Sequence, residues 1–228
     1  MEPLRMVAGL AVLAVACACA CEGADASTVA GTDGVPPAAL RFQGAVRSNG
    51  VVAQIQTTLY DSELRALSGG DSLVLSAPDG ASRVLEASDF SYVAQIATPS
   101  TTLTLELVRR DGSRHPAKLE LPPPFAITGP SATSRSAPMV FTWPAEPSLA
   151  VSVVMTGVPS TCTPGGTRRY LADPGTVTVQ AADFANVSGA CTLTVSVARE
   201  SMAVVTGELA VSALGLSQVR TVIVETQP

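Results

Sequence analysis

The sequence predicts an all-β chain built as two β-sandwich domains in tandem. Three observations carry this. Short runs of alternating apolar and polar residues recur along the chain, each bounded by Gly, Pro, Asn or Asp. No stretch of helical length carries a helical apolar period. Between two sets of such runs lies Leu121 to Pro130, reading L-P-P-P-F-A-I-T-G-P. Its three successive prolines cannot donate to a sheet ladder and favour a stiff, extended backbone. The 228 residues divide there into halves of roughly 100 residues, each large enough for its own core. The expected domains are residues 39–124 and 125–228.

Composition narrows the function classes. Hydrophobic residues make up 46% of the chain and charged residues 14%. The apolar content argues for packing over disorder. The net charge of −5 is spread along the chain, with no Lys/Arg cluster. Nucleic acid is therefore not an expected partner, because its binding needs a basic face. Lys118 is the only lysine among 14 basic residues. Ala, Gly and Pro are abundant, a bias that GC-rich bacterial codons produce.

Residues 1–21 read M-E-P-L-R-M-V-A-G-L-A-V-L-A-V-A-C-A-C-A-C. Arg5 precedes an apolar run from Met6 to Ala16, short for a bilayer span and matching a signal-peptide h-region. Ala18 and Ala20 form an A-x-A pattern before Cys21. An apolar run, small residues and then cysteine resembles a bacterial lipoprotein signal. That resemblance implies lipidation of Cys21, with Cys17 and Cys19 as alternatives, and a membrane anchor facing the periplasm or exterior. Plain secretion after cleavage near Ala20 and a retained helical anchor are the other readings. Residues 22–38 are rich in Gly, Ala, Ser, Thr and Asp without period, and are expected to form a flexible tether.

The first domain opens on L-R-F-Q-G-A-V-R-S-N-G-V-V-A-Q-I-Q-T-T-L-Y. Asn49-Gly50 between alternating runs predicts a hairpin with a two-residue turn. That turn pairs Ser48 with Val51, Val46 with Ala53, Gly44 with Ile55, Phe42 with Thr57 and Leu40 with Leu59. The apolar side chains then share one face. Asp61 to Leu67 reads as a loop that could hold a helical turn. Ser72 to Ala77 and Ala81 to Ala87 flank Pro78-Asp79-Gly80 as a second hairpin. Phe90 to Ala97, Thr101 to Arg109 and His115 to Leu121 are further strands, the last two joined by Arg110-Asp111-Gly112-Ser113.

The second domain offers strands at Met139 to Trp143, Leu149 to Met155, Arg169 to Leu171, Thr176 to Gln180, Cys191 to Arg199, Leu209 to Ala213 and Gln218 to Glu225. Asp173-Pro174-Gly175 is a turn, and Trp143 is expected as a core anchor. Cys162 and Cys191 remain once the N-terminal cysteines are set aside. Two cysteines in an exported chain most simply pair, and such a bridge stabilises by roughly 3–4 kcal/mol.

The second half resembles immunoglobulin-like or fibronectin III-like sandwiches in strand pattern. It departs from true immunoglobulin domains: Trp143 precedes both cysteines, and Gly189 stands where a tyrosine is usual two residues before Cys191. The F-T-W, C-T-L-T-V-S-V-A-R and Q-V-R-T-V stretches, with Cys162 and Asp173-Pro174-Gly175, also look like those of uncharacterised exported lipoproteins from high-GC Gram-negative bacteria. The resemblance covers mostly residues 121–228, implies two tandem immunoglobulin-like sandwiches, and brings no activity with it.

Chemistry-bearing residues are sparse. His115 is the sole histidine, set beside Pro116 where a turn enters a strand, and reads as an exposed loop residue. A zinc site needs more N/S ligands than one histidine and a bridged cysteine pair provide. No nucleophile elbow, P-loop or dinucleotide glycine pattern occurs. Asp61, Glu63 and Asp71 sit in turn-like contexts, where solvated acids are usual and a loop calcium site is the competing reading. Asn186-Val187-Ser188 matches a glycosylation acceptor by chance in a bacterial chain. The expected function is a non-enzymatic, envelope-anchored structural or protein-interaction module. Its expected partner is an envelope or extracellular protein, with no metal, cofactor or catalytic residue. The alternative is a secreted hydrolase or accessory protein with an unrecognised carboxylate site.

Overall fold

A computed structural model describes residues 29–228 apart from 165, 185, 186, 188, 203–205 and 208. The signal-like residues 1–21, with Cys17, Cys19 and Cys21, and most of the sequence Asn186-Val187-Ser188 lie outside the described residues. Those residues form strands and short 3-10 turns, with no α-helix among them. In the first half the strands are β1 (Ala30–Gly31), β2 (Arg41–Ser48), β3 (Val52–Tyr60), β4 (Leu64–Ala66), β5 (Ser72–Ser76), β6 (Ser82–Val84), β7 (Glu86–Ser88), β8 (Ser91–Ala97), β9 (Thr102–Val108) and β10 (Arg114–Glu120). The second half holds β11 (Ala132–Ser134), β12 (Met139–Thr142), β13 (Ala150–Val158), β14 (Thr167–Tyr170), β15 (Thr176–Val179), β16 (Cys191–Met202), β17 (Thr206–Gly207) and β18 (Ala210–Gln227).

Alternation places the cores. Leu103, Leu105 and Leu107 of β9 and Leu73 and Leu75 of β5 are fully buried, while Thr104 and Glu106 turn away. Burying each such leucine favours folding by about 1.5–3 kcal/mol. Cys191, Leu193, Val195 and Val197 do the same on β16. Trp143 is buried in the second of two apolar clusters, as the sequence predicts.

The large sheet runs β1-β4-β3-β2-β18-β16-β13-β14, so one sheet crosses both halves. Opposite it lie β17-β10-β9-β5-β6 and the pair β12-β15. The connecting strand is β18. Expected as two strands broken around Gly215, it is continuous, with one register irregularity between Val211 and Ala213. Its 18 residues span roughly 55–60 Å at about 3.3 Å each. It pairs antiparallel with β16 from Cys191↔Thr226 to Met202↔Gly215 and parallel with β2 from Ala210↔Arg41 to Gln218↔Ser48. Leu209, Leu214 and Leu216, assigned by sequence to the second domain, therefore belong to the first core.

Two local expectations change for physical reasons. The Asn49-Gly50 hairpin forms, but Val46 pairs with Ile55 and Phe42 with Leu59, a shift of two residues. Asn49 N–H donates to Val52 O, and Asn49 Oδ1 accepts from the amides of Val51 and Val52. The turn thus centres on Gly50-Val51, with Gly50 at φ 84°. A shift of two keeps every side chain on its predicted face. Asp61 to Leu67 holds the short strand β4 in place of a helical turn, because Leu64 and Arg65 pair with Tyr60 and Leu59. The end of the predicted tether is also built: β1 pairs parallel with β4, and Pro37–Ala39 form a 3-10 turn.

Gly44 marks where β2 is most tightly held. A Cβ there would collide with the Gln56 carbonyl oxygen and stand 2.8 Å from Thr57 Cα, both main-chain atoms of β3. We expect Gly44→Ala to cost more than about 2 kcal/mol in a denaturant melt. Gly215→Ala, whose nearest neighbour would be Gly44 O at 3.8 Å, is expected to stay within about 0.5 kcal/mol of wild type.

Candidate functional site

The densest buried polar constellation lies where the two cores meet on the inner face of β18 and β16. On β18, Leu214 and Leu216 face the first core and Val224 the second. Between them on the same face come Gln218 and Arg220, as the two-residue period of a strand requires. Gln218 is fully buried opposite the buried Ser48. Arg220 Nε donates to Phe125 O at 2.8 Å, and its Nη1 to Val219 O at 2.8 Å and Gln218 Oε1 at 3.2 Å. The turn glycine Gly50 packs so closely on this guanidinium that a Cβ there would meet it. Burial pushes the Arg220 guanidinium below its usual value.

Next to it, Arg199 of β16 is 3% exposed and Asp173, from the Asp173-Pro174-Gly175 turn, 4%. Arg199 Nε donates to Asp173 Oδ2 at 2.9 Å. Its Nη2 donates to Pro144 O and its Nη1 to Pro123 O at 3.4 Å. The guanidinium carbon lies 4.4 Å from the Phe125 ring centroid, a cation–π stack. Asp173 Oδ1 accepts from Trp143 Nε1 at 2.6 Å and from Gly175 N at 2.9 Å, and Oδ2 also accepts from Glu146 N at 3.1 Å. Burial alone would raise this carboxyl. The Gly175 amide, Trp143 indole, Arg199 guanidinium and Glu146 amide together outweigh it and hold Asp173 below the usual carboxylate range. With four donors on two oxygens the carboxylate is saturated, and its chemistry is to fix the joint.

The proline linker is thus clamped. Pro122 and Phe125 are buried, Pro123 and Pro124 exposed, and Thr128 exchanges two 2.8 Å backbone hydrogen bonds with Thr142. Arginine recurs in this role elsewhere. Arg109 Nη1 bonds Asp71 at 2.6 Å and Thr32 O at 3.0 Å, and Nη2 donates to Val35 O, pinning residues 32–35 to the first sandwich. Arg135 Nη2 donates to Gly189 O at 2.5 Å. A planar fork with five donors can tie several carbonyls at once, which a lysine ammonium cannot. This geometry explains what these arginines do.

The residues singled out by sequence fall as follows. Cys162 and Cys191 form a disulfide, with Cα atoms 6.2 Å apart and a sequence separation of 29. It joins the 3-10 turn Ser160–Cys162 to the start of β16 and fits an oxidising, extracytoplasmic compartment. His115 is half-buried on β10, the strand expected from His115 to Leu121, with Ser113 Oγ 3.2 Å from Nε2, and is not the exposed loop residue that the neighbouring turn suggests. Asp61, Glu63 and Asp71 do not converge. Arg65 and the amides of Glu63 and Ser62 hold Asp61 well below the carboxylate range. Asp71 is raised by burial but lowered further by Thr32, Arg109 and the Arg110 amide. Among the described residues no His/Cys/Asp/Glu group has the arrangement of a metal site, and no helix is long and apolar enough to cross a membrane. A shallow cavity of about 70 Å³ between Leu64, Arg65, Ala66, Phe90 and Tyr92 is far smaller than the ~300–1,000 Å³ of small-molecule sites. A scan of protein-family models finds no match to this chain, and a search of curated proteins finds no significant similarity.

Sequence reasoning missed the Trp143–Asp173–Arg199 constellation. The signal was present as Asp at the first position of a turn, one tryptophan needing an N–H acceptor, and an arginine on the apolar face of β16. Arg199 continues the inward series Cys191, Leu193, Val195, Val197, and an inward-facing charge requires a partner.

Proposed function

We propose that this chain is a non-enzymatic structural or protein-interaction module of a bacterial cell envelope. It consists of two immunoglobulin-like sandwiches in tandem, anchored through a lipidated N-terminal cysteine, Cys21 in the first instance. The observation that carries the reading is the use made of the buried and half-buried charges. Asp173, Asp71, Arg199, Arg109 and Arg220 are spent on backbone carbonyls, amides and one another, fixing irregular segments to the sandwiches. A fold that invests its buried ionic groups in rigidity suits the presentation of loops and sheet faces to an envelope or extracellular protein. The buried disulfide and the signal-like N-terminus support an extracytoplasmic location.

The test is the intact mass of the mature chain isolated from its own membranes. The expected result is an N-terminal cysteine carrying a diacylglyceryl thioether and an N-acyl chain, since two or more acyl chains give stable anchoring. An unmodified N-terminus in the soluble fraction would replace the anchor with plain secretion. Turnover of a glycan, ester or peptide that is abolished by replacing one acidic residue would replace the module with a hydrolase.

A further inference from the structure

The disulfide is chemically lopsided. On one side, Cys191 Sγ lies 3.3 Å from Arg135 Nη1 and 3.0 Å from Thr226 Oγ1. Arg135 is 5% exposed. Its other contacts are the carbonyls of Val187 and Gly189, and among the described residues no carboxylate pairs with it. On the other side, Cys162 packs against the backbone of Gly157, where an added Cβ would lie 2.6 Å from the Cys162 carbonyl carbon. The elements differ as well. Cys191 sits in a ladder, paired with Thr226 of β18, whereas Cys162, itself 0% exposed, ends a single 3-10 turn between the exposed Thr161 and Thr163, so attack on it requires this one turn to open and leaves the β16–β18 ladder in place.

We infer that Cys191 is the acidic, leaving sulfur of this bridge, and that Cys162 is the sulfur a thiol or dithiol oxidoreductase attacks. In that exchange the incoming thiolate forms a bond to Cys162 Sγ. The Cys162–Cys191 bond breaks, and its electron pair leaves on Cys191 as a thiolate beside Arg135, to which the Thr226 hydroxyl, now donating to Cys191 O, can turn 3.0 Å away. The incoming thiol is the reductant; a second thiol of the same reagent releases Cys162 and takes the mixed disulfide. A lower-pKa thiol is the better leaving group, and an adjacent guanidinium lowers a thiol below its usual ~8.5. Burial acts in the opposite direction, but Arg135 is already charged and desolvated, so a thiolate neutralises a cation that the fold has buried in any case. Oxidative formation of the bridge retraces the same path, with the mixed disulfide on Cys162.

Two experiments test this. The oxidised full-length protein is exposed briefly to glutathione, quenched with N-ethylmaleimide and mapped by mass spectrometry. The expected product carries glutathione on Cys162 and maleimide on Cys191. Glutathione on Cys191, an even split, or exchange only after the fold has melted overturns the inference. Separately, thiolate absorbance at 240 nm is titrated in Cys162→Ala, taking the difference from Cys162→Ala/Cys191→Ala to remove the N-terminal cysteines. Cys191 is expected to titrate at least about one unit below 8.5 and to rise by a similar amount on adding Arg135→Met. An ordinary titration unmoved by Arg135→Met contradicts it. The first experiment uses the unmutated protein and so stands even if Arg135→Met fails to fold.

Discussion

Replacing Asp173 with alanine is expected to destabilise the fold by about 3–5 kcal/mol, the usual consequence of leaving one half of a buried ion pair unpaired. For a domain of this size that is a fall in Tm of roughly 6–20 °C, at about 2–4 °C per kcal/mol. The loss has three sources: the Arg199 guanidinium loses its counter-ion, the Trp143 indole N–H loses its acceptor, and the turn amides of Gly175 and Glu146 lose theirs. Because Trp143 is the only tryptophan, its fluorescence reports this site directly during a urea melt. Arg199→Lys is expected to be costly too, since one ammonium cannot replace a fork that reaches Asp173, Pro144 and Pro123.

The same carboxylate makes stability pH-dependent. Its folded pKa is depressed, so below the unfolded value of about 3.9 the unfolded chain binds a proton that the folded chain does not. Stability is therefore complete above about pH 4 and falls as pH drops through the folded value. Asp71 adds a contribution of the same sign. Chemical denaturation across this range is expected to show a shallower acid dependence in Asp173→Ala than in wild type. An unchanged slope would mean that Asp173 is not ionised and paired in the folded protein.

What the sequence discloses about this fold is what a strand encodes locally. The inward faces of β2, β3, β9 and β16 follow from alternation alone, because each residue's side is set by its own parity along the strand. The disulfide follows from pairing the two cysteines that remain beyond a signal-like N-terminus. Register is harder: the β2–β3 turn is decided by the Asn49 side chain capturing two amides, and this moves the pairing by two without moving a face. Least legible are contacts between distant segments. Arg199 and Pro123 lie 76 positions apart, and Arg220 and Phe125 lie 95 apart; no local period connects them. The continuity of β18 across 214–217, left out of the two expected strands, comes from its ladders, in which Gly215 pairs with Ala45 of β2 and Met202 of β16. The stiffness of the proline stretch comes as much from the two arginines that hold it as from proline.

The two cores form one body because β18 serves both. Cutting the linker tests it. A protease site placed at the exposed Pro123-Pro124 step, in otherwise full-length protein, divides the chain into a fragment with β1 to β10 and a fragment with β11 to β18. Leu209, Leu214 and Leu216 of the second fragment stay buried in the first fragment's core, worth about 5–9 kcal/mol at 1.5–3 kcal/mol each. The β2–β18 ladder and the Arg199–Pro123 bond add to this. Since a micromolar complex corresponds to about 8.2 kcal/mol, the fragments are expected to co-elute at micromolar concentration as a particle of intact size. They are also expected to melt in one transition. Two fragments that elute separately, each folded and each with its own melting transition, would contradict the shared-strand architecture.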